Sequence, residues 1–496
     1  DRSVSRGLGD VYKRQKWYHL YCSVQRCNSA LRVLNAATDE QVNGRVSRIA
    51  EMKVLRAHYY FELSRLFNKI PYFDENVEIS QYPDIPNNEF TRDEILSMLA
   101  EEMLDAAEQL PASQPEVGRI HKYIALAYAA KIKLYQAYQQ DETTHAVTSI
   151  NKELLREVVS LCDQVTASNR YGLLDDFQGL DLVANENGKE SVFAIQYSMN
   201  DGTESAGRIN WSNLLNSPGG GSPYGGDGFF LPSQDLINAY QTDANGLPDF
   251  NYQSKSDYSW AVLNNGVYTL QNTTPNVDPR LDFVVGRPTI TWKTYPDKPC
   301  EGWVRDKETY GYNCAKRFWV SPESSDMFNG WPWGASQLNW QIIRYADILL
   351  WKAEALIELN EGNGLETARD LINQIRNRAR NSAYVKDFND HSKYAANYLV
   401  NPYPADVWNQ DYARQALRWE TRLEKALEGE RFFDLVRWGI VETTMNKYIT
   451  AESDNRIYYA NAHFTGGKDE YYPVPNNQYG FSGGKYVQNP GYAPFN

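Results

Sequence analysis

The sequence predicts a mainly α protein, a tetratricopeptide-like helical array with a long irregular, loop-rich insertion. Three observations predict it. Apolar residues recur at helical spacing over both ends of the chain, and residues 171–340 lose that period. Two stretches, 344–360 and 423–439, combine charge and apolar bulk as packed helices do. The pattern is one of consecutive helix pairs, although the tetratricopeptide repeat's own consensus is absent.

Residues 17–35 read as a helix carrying Tyr18, Leu20, Tyr21, Val24 and Leu31, and 45–68 as a longer one stopped by Pro71. At 91–110 the capping pair Thr91 and Glu94 precedes a stripe of Ile95, Leu99, Met103, Ala107 and Leu110. Residues 118–140 are rich in Ala and Tyr, and 153–167 form another amphipathic helix. Residues 191–197 are a short strand candidate, followed by the Gly219-Gly220-Gly221 and Gly225-Gly226 turns. Helical patterning returns at Gln341. In 344–360, Ile348, Leu349, Ala355, Leu356 and Leu359 make the apolar face, and small Ala346, Ala353 and Ala355 admit a neighbouring helix. Asp347 and Glu354 share one side of it, and packing is the better reading of that carboxylate pair. Helices are expected over 365–380 and, unbroken, over 411–437. Within the last, Glu428, Arg431, Asp434 and Arg437 recur every third residue with alternating sign, a ladder of ion pairs among large apolar groups. Charges in such surroundings require partners, so this stretch is expected to be buried scaffold rather than an active site.

The expected organisation is 1–15, a non-native segment; 16–170, an N-terminal helical scaffold; 171–340, the insertion; and 341–496, a C-terminal scaffold with closing loops. Residues 1–15 have neither apolar periodicity nor the basic start and apolar stretch of a signal peptide. Their DVYKRQ ending is what the mosaic-end DNA of a transposon-based library encodes, so they are expected to be translated adapter.

A net charge of −13 without a Lys/Arg cluster argues against nucleic acid, whose phosphates need a basic surface. No apolar run approaches the roughly twenty residues that span a bilayer, so membrane attachment is expected only through a lipid anchor outside this chain. Cys22 and Cys27 point to different helix faces, Cys162 reads as core, and Cys300 and Cys314 are a candidate pair in an exported protein. The six histidines lack zinc spacing, and neither a Gly-x-Ser-x-Gly elbow nor a phosphate loop with its lysine occurs. No catalytic residue, metal site or cofactor is therefore expected. Asp243, Asn245 and Gly246 echo a fragment of a calcium loop, but the later ligands are missing, and a turn is the better reading.

Aromatic residues are the anomaly, at 13% of the chain. In the insertion, Trp292, Tyr295, Trp303, Tyr310, Tyr312, Trp319, Trp331 and Trp333 are interleaved with Pro, Gly, Asp, Asn and Lys instead of forming a core stripe. Planar rings in polar loops stack on the apolar faces of sugar rings while neighbouring polar groups take the hydroxyls. The competing reading is that each ring pins its loop to the scaffold. For the group, a binding platform is favoured, with Trp331→Ala and Trp333→Ala expected to weaken glycan binding about tenfold.

Four stretches, in order, carry a family resemblance: LRAHYYFELSRLFNKIPYF (55–73), RYADILLWKAEAL (344–356), LEGERFFDLVRWG (427–439), and YYPVPNNQ with QNPGY (471–478 and 488–492). Together they resemble the SusD/RagB family of outer-membrane glycan-binding lipoproteins, with 278–281 as a short island of likeness in the middle third. Glu424-Lys425-Ala426-Leu427 departs from the family's more apolar Glu-Leu-Ala-Phe. The resemblance implies a tetratricopeptide-like fold, a place on the extracellular face of the cell outer membrane, glycan binding through loop aromatics, and a SusC-type TonB-dependent transporter as partner. The alternatives are an extracellular glycoside hydrolase and a protein-binding helical-repeat adaptor.

Overall fold

The computed structural model describes residues 3–203, 207–211, 213–259, 261–264, 267–270, 275–296, 302–330 and 334–495. The chain forms two compact units. One comprises Asp1–Asn169, Phe432–Asn446 and His463–Asn496, the other Arg170–Arg431 and Lys447–Ala462.

The first unit is the predicted helical array. Helices α1 (Ser3–Ala36), α2 (Arg45–Phe67), α3 (Arg92–Gln109), α4 (Lys122–Ala137) and α5 (Lys152–Ala167) each pack against the next. The capping box forms as expected: Thr91 accepts from the Glu94 N–H while the Glu94 carboxylate accepts from the Thr91 N–H at 2.8 Å. Helix α4 is buried on all sides and α5 on one, with Leu155, Val158, Leu161, Cys162 and Val165 inward, so α4 is the central rod of the array. It ends at Ala137 rather than continuing to 140. Strand β1 (Tyr138–Gln140) instead pairs antiparallel with β2 (Val147–Ile150), which takes over its backbone hydrogen bonds. The closing motif is stapled back onto α2, with the Asn489 side-chain amide donating to the carbonyls of Phe67 and Tyr472, each at 2.7 Å.

In the second unit, β3 (Ser191–Ile195) confirms the predicted strand. Its partner is β4 (Trp340–Arg344), antiparallel to it, so residues expected to open a helix are extended instead. Helix α6 (Gln234–Ala239) lies in the insertion, and α7 (Tyr345–Leu359), α8 (Gly364–Asn381) and α9 (Gln410–Glu424) pack on one another. The expected continuous helix over 411–437 is broken. Helix α9 stops at Glu424 and α10 (Arg431–Arg437) begins seven residues later, with Leu427 and Gly429 between them in left-handed backbone at φ 67° and 82°. Helix α11 (Val441–Ser453) follows.

That break explains why the expected ladder does not form as a single row. Asp434 pairs with Arg437 at 3.0 Å, but Glu428 turns instead to Arg344 at 2.7 Å, Lys425 at 2.6 Å and Arg317 at 3.3 Å. Glu424 is held by Arg344 at 3.1 Å, Arg280 at 3.2 Å and Arg378, while Glu420 takes Arg280 and Arg376. Asp347 pairs with Lys425 at 2.8 Å, as a packing role requires. These groups are almost wholly inaccessible, and each has opposite charges around it. The network is structural, and the 278–281 island contributes Arg280 and Asp278 to it, 2.7 Å apart.

Candidate functional site

The predicted platform divides into buried rings and accessible ones. Trp292, Trp303 and Trp319 are 0%, 5% and 2% exposed and belong to one apolar cluster with Tyr224, Val304, Val320 and Leu338. Trp292 Nε1 donates to the Tyr224 hydroxyl at 3.0 Å, and that hydroxyl donates to the Val320 carbonyl at 2.6 Å. Trp319 Nε1 donates to the Ala315 carbonyl at 2.8 Å. Rings whose faces are covered inside the protein offer nothing to a ligand, and the N–H groups of Trp292 and Trp319 are engaged there as well, so these three are corrected to core residues. The polar spacing that suggested a platform arises because their loops, not their rings, meet water. Tyr295 is half-buried against Trp303, and Tyr312 is half-buried with the Lys307 ammonium over its ring. Trp331 and Trp333 lie outside the described residues, as does Cys300. Cys314 is buried with Sγ 3.8 Å from the Gly286 carbonyl. Asp243 makes the expected turn, its carboxylate accepting from the Asn245 and Leu247 N–H groups.

Tyr310, at 44% exposure, stands at the mouth of a cavity of about 480 Å³. Its walls come from 227–233, 304–310 and 448–459. The rim is aromatic. The Tyr310 and Tyr458 rings lie 6.0 Å apart at 42°, Tyr458 is 51% exposed, and Phe229 is more exposed still. Behind them Tyr459 packs 4.6 Å from Tyr458, and its hydroxyl lies 2.9 Å from that of Tyr448. Such a size fits one or two sugar residues of a longer chain, and the rings give it the apolar faces on which pyranose C–H groups pack. Gly311 is favoured here by its left-handed backbone at φ 77°, which a side chain would strain, and the Arg456 guanidinium runs alongside it.

Polar groups line the same cavity. Arg305 pairs with Asp227 at 2.8 Å and donates to the Gly226 carbonyl at 3.0 Å. Asp306 accepts from the Thr309 N–H at 3.1 Å. Glu452, on α11, is 1% exposed, and its Oε1 accepts from the Asp235 N–H at 2.5 Å. Burial raises its carboxyl above the usual range, aided by the Asp235 and Asp257 charges and opposed by the Asp235 N–H and Arg456. Asp235 itself is neutralised by Arg422 at 2.6 Å.

Tyr448, Glu452, Arg456, Tyr458 and Tyr459 were missed in sequence because they lie more than a hundred residues beyond the insertion. The signal available was the run Asn455-Arg456-Ile457-Tyr458-Tyr459, in which two adjacent rings follow polar residues without an apolar stripe. Two further cavities are poor in rings. One of about 660 Å³ is lined by Asp176, Asp181, Lys293 and Lys316 with Phe283 as its described aromatic residue. Another, of about 520 Å³ in the first unit, is lined by Thr143, His145, Glu442, Glu470 and several glycines.

Comparison with known proteins adds relatedness to this geometry. The family model described as the SusD family matches residues 189–492, and a second, described as "Starch-binding associating with outer membrane", matches 4–134. A SusD-like protein of Bacteroides ovatus is 22% identical over 443 residues, covering 85% of this chain and 65% of that protein, so the chain spans just under two thirds of its length. Among solved structures, a SusD homolog from Bacteroides thetaiotaomicron superposes with a TM-score of 0.68 at 18% identity, covering 97% of this chain and 86% of the other. Surface glycan-binding protein A from the same organism, solved in complex with laminarihexaose, gives a TM-score of 0.58 at 19% identity, covering 96% and 85%.

Proposed function

The chain belongs to the SusD family, and we propose on that footing that it is a non-catalytic, cell-surface glycan-binding protein whose cavity between Tyr310 and Tyr458 holds an oligosaccharide. One observation carries the reading: accessible rings rim an open cavity of sugar size whose walls also carry fixed hydrogen-bonding groups. Large aromatic faces left in water have a cost that ligand stacking offsets. The solved relative carrying laminarihexaose supports a glycan as the ligand class.

The protein works on the extracellular face of the cell outer membrane, held by a lipid anchor, and delivers captured oligosaccharide to a SusC-type TonB-dependent transporter. The outer-membrane description matched over 4–134 supports the location. Glycan retention and transporter co-purification are separate measurements, so each part of the reading stands or falls alone.

Removing one stacking ring costs roughly 1–3 kcal/mol by analogy with interface hot spots. Tyr310→Ala and Tyr458→Ala are each expected to weaken retardation in polysaccharide gels about tenfold or more while Tm stays within about 1 °C of the parent. Undiminished retardation in both variants would move the binding site elsewhere. The purified protein is expected to release no reducing sugar from the polysaccharide that retains it.

A further inference from the structure

Glu452 is divided between two environments. Its Oε1 is fixed by the Asp235 N–H, whereas Oε2 is buried without a hydrogen-bond partner among the described residues, and Glu452 lines the cavity. Buried polar atoms in folded proteins are almost always partnered, because an unpartnered one forfeits the hydrogen bonds water would supply. The surrounding side chains do not fill the gap. The nearby Tyr448 and Tyr459 hydroxyls bond to each other, Arg456 Nη1 donates to the Asn455 carbonyl at 2.7 Å, and Arg305 is held by Asp227. Packing keeps the carboxylate where it is, since α11 and the Asp235 N–H grip it from behind.

Resting on the glycan reading above, we infer that Glu452 Oε2 is the acceptor for a sugar hydroxyl, and that the cavity selects neutral, hydroxyl-rich sugars over those bearing carboxylate or sulfate. A sugar hydroxyl is the donor that an orphaned carboxylate oxygen lacks, and stacking on Tyr310 and Tyr458 brings such groups to the wall. Charge points the same way. Asp227 cancels Arg305 and Arg422 cancels Asp235, which leaves Glu452 and the nearby Asp257 facing Arg456. An anionic sugar would enter a cavity that already carries excess negative charge, in a chain of net charge −13. Glu452 is thus a specificity-determining residue, supplied by a segment distant in sequence from the insertion.

The test is a retardation-gel series with laminarin, starch and xylan as neutral polysaccharides and polygalacturonate and alginate as acidic ones, run with the parent protein, Glu452→Gln and the two tyrosine variants. The expected result is retention by at least one neutral polysaccharide, lost at least tenfold in Glu452→Gln, whose Tm is checked separately. Because the substitution is buried, the parent protein is also tested against the O-methylated form of the retained polysaccharide, which keeps the ring faces and removes the hydroxyl donors; at least tenfold weaker retention is expected. Retention by acidic polysaccharides alone overturns the inference. So does loss of binding in Tyr310→Ala and Tyr458→Ala with full binding in Glu452→Gln and to the methylated form, an outcome that leaves the glycan reading intact. Failure of every polysaccharide to retain the parent overturns both.

Discussion

Trp292 has both ring faces covered and its N–H bonded to Tyr224, and the Gly286 backbone lies so close that a side chain there would collide with the indole. Trp292→Ala is therefore expected to lower stability by about 3–5 kcal/mol, read as a fall in the denaturation midpoint. Glycan affinity per folded molecule should be unchanged, the reverse of the pattern expected at Tyr310. Sequence alone does not separate these two rings. Both sit in polar, glycine-rich loops, and which one points inward depends on contacts with Tyr224, 68 residues away from Trp292 in the chain. What composition does reveal is the excess of rings, and Tyr310 was legible because it belongs to that excess. Glu452 was not, since a carboxylate on a helical segment reads as solvated until its helix is packed.

At the scale of elements, the helices were legible where local chemistry sets them. The Thr91–Glu94 box fixes the start of α3, and the inward face of α5 follows its apolar spacing. Boundaries set by partners far along the chain were not. Residues 341–344 are extended because β3 offers them a ladder, and the helix expected through 437 breaks at Leu427 and Gly429, whose left-handed backbone ends the helical run. Truncating Arg344 to Ala removes a partner from Glu190, Glu424 and Glu428 at once and is expected to cost about 3–5 kcal/mol in chemical denaturation. Burial alone would raise the Glu424 carboxyl, but Arg378, Arg344 and Arg280 hold it down at about 2. Its stabilising contribution is thus complete above the unfolded value of roughly 4.3 and lost as pH falls from there towards 2. A denaturation midpoint for the second unit that is flat above pH 5 and drops steeply below pH 4 would match.

Over the whole molecule, the two units have different acid limits. His58 and His145, both in the first unit, are pushed down by burial to about 4. The unfolded chain binds their protons more readily, so stability is complete above the unfolded value of roughly 6.5 and falls between there and 4. Hydrogen exchange at pH 5 should accordingly accelerate in peptides covering α2 and the β1–β2 hairpin before it does in those covering α7 to α9; equal loss of protection in both sets would contradict this ordering. The architecture as a whole was legible because its periodicity is strong, whereas the composition of each unit was not, since residues 341–431 join 170–340 and only later segments return to the N-terminal helices. That return has a consequence for biosynthesis. While the polypeptide is still emerging from the ribosome, α1 to α5 lack the Asn489 staple on α2, more than four hundred residues downstream. The N-terminal array therefore stays unfinished until the segment around Asn489 has been made and has folded back.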